Sequence, residues 1–178
     1  MNDRPLQLHT ARLFLGPIRA SDEADMIRIF LNPEVCKTYM IPEFRSPDEA
    51  VTLFRRFRAL SVAAERIVYG IYLQDRLIGF VNDVQRDDVS VEMGYVIHPD
   101  YKNKGYATEA FSAIIQVLFA MGYDTVKTGA FAENAASIRV MEKCGMLRTD
   151  LEEDIPYRGQ IHRCVNYEIR DPHTESPK

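Results

Sequence analysis

Apolar residues along the chain switch between a spacing of two and a spacing of three to four. Over residues 12–18 they alternate, with Leu13 and Leu15 in phase, which predicts a first strand. Ser21-Asp22-Glu23 then precedes Met26, Ile27, Ile29 and Phe30, a short helical stripe with Ser21 as N-cap and Asn32-Pro33 as its end. Residues 34–45 keep no period and contain Pro42, so they read as a loop with at most one helical turn. Ser46-Pro47-Asp48-Glu49 marks a stronger helix start: a cap Ser, Pro in the first turn and Glu three residues on. Val51, Phe54, Phe57 and Leu60 give that helix its apolar face.

In the second half, residues 67–73 and 77–84 flank a Gln74-Asp75-Arg76 turn and predict a hairpin. Val89, Val91, Met93, Tyr95 and Ile97 alternate with Ser90, Glu92, Gly94 and Val96, which puts Glu92 on the face opposite the apolar row. A helix is expected over about 106–121, with Ala107, Ala110, Phe111, Ile114 and Leu118 buried. Then come a strand at 125–131, a helix at 134–144 with Gly145 at its C-cap, and a strand pair at 146–155 and 161–169. The order β-α-α-β-β-β-α-β-α-β-β predicts an α/β (α+β) fold, a mixed sheet with helices on it. No linker divides it, so residues 1–170 read as a single domain and 171–178 as a frayed, polar tail.

Composition narrows the function. The net charge of -4 disfavours a general nucleic-acid-binding surface. Cys36, Cys144 and Cys164 are odd in number and widely spaced, without a zinc or CxxC pattern, and fit free thiols in a cytoplasmic setting. No metal is expected: His9, His98, His162 and His173 are scattered, and read as surface or capping residues. No apolar run approaches the roughly 20 residues of a membrane helix. Residues 1–7 lack the apolar segment of a signal peptide.

The richest chemistry lies in His98-Pro99-Asp100-Tyr101-Lys102-Asn103-Lys104-Gly105-Tyr106-Ala107-Thr108-Glu109-Ala110. Pro99 ends a strand. Gly105 lets the backbone take φ > 0 and approach a ligand closely. The helix that follows starts with N–H groups that have no internal partner, at the positive end of its dipole, which is an anion site. Lys102 and Lys104 add charge for a diphosphate, and small Ala107 lets the helix come near it. The same residues also fit a plain strand-to-helix turn with solvated lysines. GxxxxGK[ST] and GxGxxG are both absent, which excludes the P-loop and the dinucleotide fingerprint.

Lys102-x-x-Gly105-x-Ala107 resembles the Arg/Gln-x-x-Gly-x-Gly/Ala signature of the GNAT acetyltransferases, which wraps the pyrophosphate of acetyl-CoA. Gly105-Tyr106-Ala107-Thr108-Glu109-Ala110, the helix from Asn134 to Gly145 and the Glu92-x-Gly94-Tyr95 strand resemble its ribosomal-protein N-terminal acetyltransferase-like subgroup. The resemblance covers about residues 9–170, with three motifs in the right order. Lys102 stands where Arg or Gln is usual, and Met146 where Phe is usual. The resemblance implies a mostly antiparallel sheet of about seven strands, splayed between the fourth and fifth, with about four helices. It implies acetyl-CoA as co-substrate, held by Tyr95, Val96, Ile97, Lys102, Asn103, Lys104, Gly105, Tyr106, Ala107, Thr108, Asn134 and Ser137.

Acyl transfer needs a neutral amine, a polarised thioester carbonyl and a proton for the leaving thiolate. In the family, the strand holding Tyr95, Val96 and Ile97 pairs with the pantetheine arm, and the Ile97 N–H or a neighbour polarises the carbonyl; ordinary strand pairing is the alternative. Glu92 is the candidate general base, with an anchoring or structural carboxylate as the alternative. Ser137 is the candidate proton donor, against the simpler assignment of Asn134 as N-cap and Ser137 as a first-turn residue. Many relatives carry a tyrosine acid where this chain has Met141, which cannot donate a proton.

The resemblance sets the acceptor between residues 34–45, with Tyr39, Met40, Glu43 and Phe44, and residues 152–162, with Glu152, Glu153, Asp154 and Tyr157. Carboxylates and aromatics suit an amine, and a solvated acidic loop is the plainer alternative. The expected partners are acetyl-CoA and an amine acceptor, either a protein N-terminus or a small molecule, with no nucleic acid and no membrane, in a monomer or homodimer. The rival function is a non-catalytic acyl-CoA-binding or sensing module.

Overall fold

The computed structural model describes residues 7–63 and 65–174. Among them are eight strands and five α-helices: β1 Leu8–His9, β2 Leu13–Gly16, α1 Glu23–Phe30, α2 Pro33–Thr38, α3 Pro47–Leu60, β3 Val68–Leu73, β4 Arg76–Arg86, β5 Ser90–Ile97, α4 Tyr106–Ala120, β6 Thr125–Phe131, α5 Ala135–Lys143, β7 Leu147–Tyr157 and β8 Gln160–Arg170. The strand order is β1-β2-β3-β4-β5-β6-β8-β7. Pairing is antiparallel for β1–β2, β2–β3, β3–β4, β6–β8 and β7–β8, and parallel for β5–β6. The β5–β6 register joins Ser90, Val91 and Glu92 to Thr125, Val126 and Lys127. With the two-residue β1 counted, the expected fourth and fifth strands are β5 and β6. The chain forms two compact units, Met1–Asn82 with Tyr95–Ala110, and Asp83–Gly94 with Phe111–Lys178.

In the first unit, α1 and α3 cover an interior of Met26, Ile29, Phe30, Phe54, Tyr72, Leu77, Phe80 and Val96. Phe80 receives Phe57, Tyr39 and Phe30 edge-on, with ring centroids 5.0, 5.6 and 5.9 Å away. One helix start differs from expectation in its cap residue, and a second keeps the expected cap residue and proline without the side-chain bond. Ser21 is not a cap. A 3-10 turn, Ala20–Asp22, leads into α1, because Asp22 turns inward to accept the Arg19 N–H at 2.6 Å and the Tyr72 hydroxyl at 2.6 Å. At α3, the Ser46 side chain makes no capping bond, and Glu49 accepts the Arg45 N–H at 2.7 Å. The stretch read as a loop holds α2, whose start Asn32 caps by accepting the Glu34 N–H at 2.9 Å and the Val35 N–H at 3.3 Å. Gly79 is required by close packing, since an added Cβ would run into the Val96 carbonyl oxygen.

In the second unit, Phe111, Ile114, Ile115 and Leu118 of α4 and Met141 of α5 are buried together with Val91, Met93, Val126 and Val165 of the sheet. Gly145, at φ 79°, ends α5: its N–H reaches the Glu142 carbonyl at 3.0 Å, and the Met146 N–H reaches Met141 at 3.1 Å. That pair of bonds is a Schellman motif, as the expected C-cap glycine requires. Of the expected tail, residues 175–178 lie outside the described residues; Asp171 donates its N–H to the Asp124 carbonyl at 2.9 Å.

Candidate active site

The loop between β5 and α4 lies in the first unit. After Ile97, the His98 N–H continues the sheet by donating to the Ile78 carbonyl at 2.8 Å. The His98 ring is turned inward, 5% exposed. Its Nδ1 accepts the Asp100 N–H at 3.2 Å and lies 3.3 Å from Arg28 Nη2. The Asp100 carboxylate lies 3.6 Å from the same nitrogen. Burial, and then the Arg28 charge, push His98 below the ordinary histidine range. His98 is therefore the capping residue that the sequence allowed, at the head of a 3-10 turn, Pro99–Tyr101.

Asn103 follows at φ 60° and Gly105 at φ 81°. Lys102 before them is extended, and the loop leads straight into the first turn of α4. The helical bond from the Glu109 N–H to the Gly105 carbonyl, 3.0 Å, opens α4. The N–H groups before it precede any acceptor in the helix. Lys102 Nζ lies 3.4 Å from Glu34, and Lys104 Nζ donates to the Asp100 carbonyl at 3.2 Å. Both lysines thus keep contacts within the loop's own surroundings. Ala107, expected in the buried stripe, is only half-buried.

Three residues without a foreseen role hold this loop. Arg12 Nε donates to Glu109 Oε2 at 2.7 Å and Nη1 to the Lys104 carbonyl at 2.9 Å. Its guanidinium lies over the Tyr106 ring, 4.6 Å from the centroid. Glu109 Oε1 also accepts the Thr10 hydroxyl at 2.6 Å and the Arg12 N–H at 2.8 Å. Burial would raise the Glu109 carboxyl, but the bonds from Thr10 and Arg12 outweigh it and hold the group below the usual range. The pairing joins positions 97 apart in sequence, and no local pattern announces it. The only signal was Glu109 itself, within the Gly-Tyr-Ala-Thr-Glu-Ala motif.

In the second unit, Glu92 is half-buried on β5 beside Lys127 of β6. Burial, and then the negative charge of Glu153, raise its proton affinity, with Lys127 opposing. Lys127 Nζ donates to the Ser90 hydroxyl at 3.2 Å. At the head of α5, Asn134 Oδ1 accepts the Ser137 N–H at 3.2 Å, so this oxygen serves as the helix cap. Ser137 is half-buried, and Met141 is fully buried.

The segments expected to meet an acceptor divide in character. In the first unit, Tyr39 donates to Asn82 Oδ1 at 2.5 Å, and Phe44 packs 6.4 Å from Phe30; both are half-buried against the interior. Met40 and Glu43 are exposed. In the second unit, Arg163 pairs with Asp154 at 2.5 Å and with Glu152 at 3.0 Å, and Arg148 also pairs with Glu152. The His162 ring stacks 4.3 Å from Phe131 and contacts Glu133 through Nδ1 at 2.5 Å, with Tyr157 close by. Among the described residues no group of side chains could hold a metal ion, and no helix is long and apolar enough to cross a membrane.

The mixed sheet carries a glycine loop that feeds a helix, the arrangement expected of an acetyltransferase. Residues 12–147 match the acetyltransferase (GNAT) domain family, and the chain belongs to that family. It is 28% identical over 157 residues to the uncharacterized N-acetyltransferase YoaA of Bacillus subtilis, covering 85% of this chain and 89% of that protein. A GNAT-family acetyltransferase from Bacillus anthracis shares the fold, with a TM-score of 0.80 at 23% identity over 93% of this chain and 98% of that one. So does RimL, a ribosomal L7/L12 α-N-protein acetyltransferase solved with coenzyme A, with a TM-score of 0.80 at 14% identity over 93% and 98% of the two chains.

Proposed function

We propose that this chain transfers the acetyl group of acetyl-CoA to a primary amine of a peptide N-terminus or small molecule, by direct attack in a ternary complex. The observation that carries the reading is the loop from Lys102 to Thr108, with left-handed backbone at Asn103 and Gly105 leading into the start of α4. The loop fits a diphosphate: a Cβ added at Gly105 would meet one group within 4 Å, Arg12 Nη2 at 3.3 Å, so the glycine keeps the space clear. The solved complex of RimL with coenzyme A, in the same fold, supports the choice of ligand.

Acetyl-CoA, when bound, supplies the thioester. Each turnover forms one C–N bond and breaks one C–S bond. Main-chain groups of Tyr95, Val96 and Ile97, beyond the three β5 residues that pair with β6, orient the donor's arm, and an N–H there polarises the carbonyl. Glu92 takes a proton from the acceptor ammonium; burial and Glu153 raise its affinity for that proton toward the range a base at neutral pH needs. Ser137, or solvent, returns a proton to the leaving thiolate. Asn134 contributes by capping α5 and fixing Ser137. Of the expected acceptor carboxylates, Glu152 and Asp154 are engaged by Arg163. We assign the reaction to the cytoplasm, consistent with three cysteines outside any disulfide.

The test is thiol release from acetyl-CoA across a panel of peptide N-termini, polyamines, amino sugars and aminoglycosides. At least one class should accelerate release in a saturable manner. Tight CoA binding with no acceptor-dependent release across all classes would replace the enzyme by a binding module.

A further inference from the structure

We propose that Arg12 is a positioning residue for the acetyl donor: it fixes the loop from Lys104 to Glu109 in its ligand-ready shape and thereby sets affinity for the donor's diphosphate. The inference rests on the reading of that loop as the diphosphate site. Arg12 stands in the turn between β1 and β2, closed by the bond from the Thr10 N–H to the Leu13 carbonyl at 2.9 Å. Leu13 is itself paired with Leu73 of β3. The guanidinium is thus carried by the sheet, not by the loop it holds.

Its bonds fall on both sides of Gly105. Nη1 binds the Lys104 carbonyl, the plane covers the Tyr106 ring, and Nε binds the Glu109 carboxylate. A glycine has many alternative conformations. A fork that clamps the residues before and after it removes them before the ligand arrives, and preorganisation of this kind appears as affinity. The second effect is electrostatic. Glu109 lies in the first turn of α4, at the helix end that attracts anions. Unpaired, its charge would repel a diphosphate there. Thr10 and Arg12 engage both of its oxygens.

Both effects act on the diphosphate and not on the pantetheine arm, which separates this role from a merely structural one. Calorimetry with CoA, and thermal shift with millimolar pantetheine, are compared for the wild type, Arg12→Gln, Arg12→Lys and the double variant Arg12→Gln/Glu109→Gln. Arg12→Gln should weaken CoA by roughly 10- to 100-fold, the scale of a lost charge-assisted hydrogen bond, and leave the pantetheine response within about twofold. Arg12→Lys keeps the charge and loses the planar fork, so it should still lose about tenfold. The double variant should regain part of the loss, because the unpaired carboxylate is gone. Equal proportional losses for CoA and pantetheine, or an Arg12→Gln variant within about twofold of wild type for CoA, would overturn the proposal. Should Arg12→Gln not fold, Arg12→Lys is judged by the same two criteria. A wild-type chain that does not bind CoA overturns the diphosphate reading beneath it.

Discussion

Substitutions at Gly105 and Lys102 separate a backbone cradle from a charge cradle. Gly105 sits at φ 81°. A side chain in that region costs about 1–2 kcal/mol. The free loop can shed this strain by changing shape, but must take it back when the ligand binds. Gly105→Ala should therefore weaken CoA by roughly 5- to 30-fold, at about 1.4 kcal/mol per decade. Its Cβ would also lie 3.3 Å from Arg12 Nη2, pressing on the group that bonds Lys104 and Glu109. Gly105→Val adds β-branching and should abolish measurable binding. Lys102 is an exposed lysine 3.4 Å from Glu34. Surface pairs of this kind contribute about 0–1 kcal/mol, so Lys102→Ala should change affinity by less than about fivefold. Calorimetric titration of CoA into each variant, after circular dichroism confirms folding, gives the ranking. A folded Lys102→Ala that binds more weakly than a folded Gly105→Ala would refute the main-chain cradle.

Glu92→Gln keeps shape and loses basicity: turnover should fall by roughly 10²–10⁴-fold with CoA affinity unchanged. If the maximal rate holds while the Michaelis constant for the amine rises, Glu92 anchors the substrate instead. Because folding raises the Glu92 pKa, ionising it opposes folding once the pH passes the folded value, so Glu92→Gln should melt higher than wild type at neutral pH. His98 has the opposite sign of charge and a lowered folded value: its contribution to stability is complete above about pH 6.5 and is lost as the pH falls through the folded value. CoA affinity should fall over the same window, and His98→Asn should flatten that part of the pH profile; an unchanged profile in the variant would sink the assignment. β4, β5 and α4 each run through both compact units, so the chain should unfold in one transition, with near- and far-ultraviolet dichroism coinciding.

The parts of the fold legible in the sequence were those written locally. Alternation gave the strands of the β3–β4 hairpin and β5 within a few residues, and Gly145 gave the end of α5. Helix starts were less legible because the same side chains had tertiary competitors. Asp22 is drawn inward by the Tyr72 hydroxyl, and Glu49 serves Arg45 instead of completing a box with Ser46. Tyr39 and Phe44, expected beside the acceptor, also pack against Phe80 and Phe30, a tertiary contact that no local pattern announces. At the site, glycine, the helix start and the carboxylate strand could all be read from short motifs. Arg12 and Thr10 could not, since their partner Glu109 is distant in sequence and nothing near them suggests a ligand. The raised proton affinity of Glu92 likewise depends on its burial and then on Glu153, three strands further along the sheet order.

The most direct measurement of the account follows the acetyl group itself. Acetyl-CoA labelled with deuterium in the acetyl methyl is incubated with the chain and the amine that most accelerates thiol release, and the products are read by mass spectrometry. The account predicts one labelled acetyl group on the acceptor nitrogen per CoA thiol released, with no labelled protein formed along the way, and a loss of that product in Glu92→Gln. Label retained on the protein would contradict direct transfer. Thiol release with the label found in free acetate, and no acetylated amine, would contradict the acetyltransferase reading.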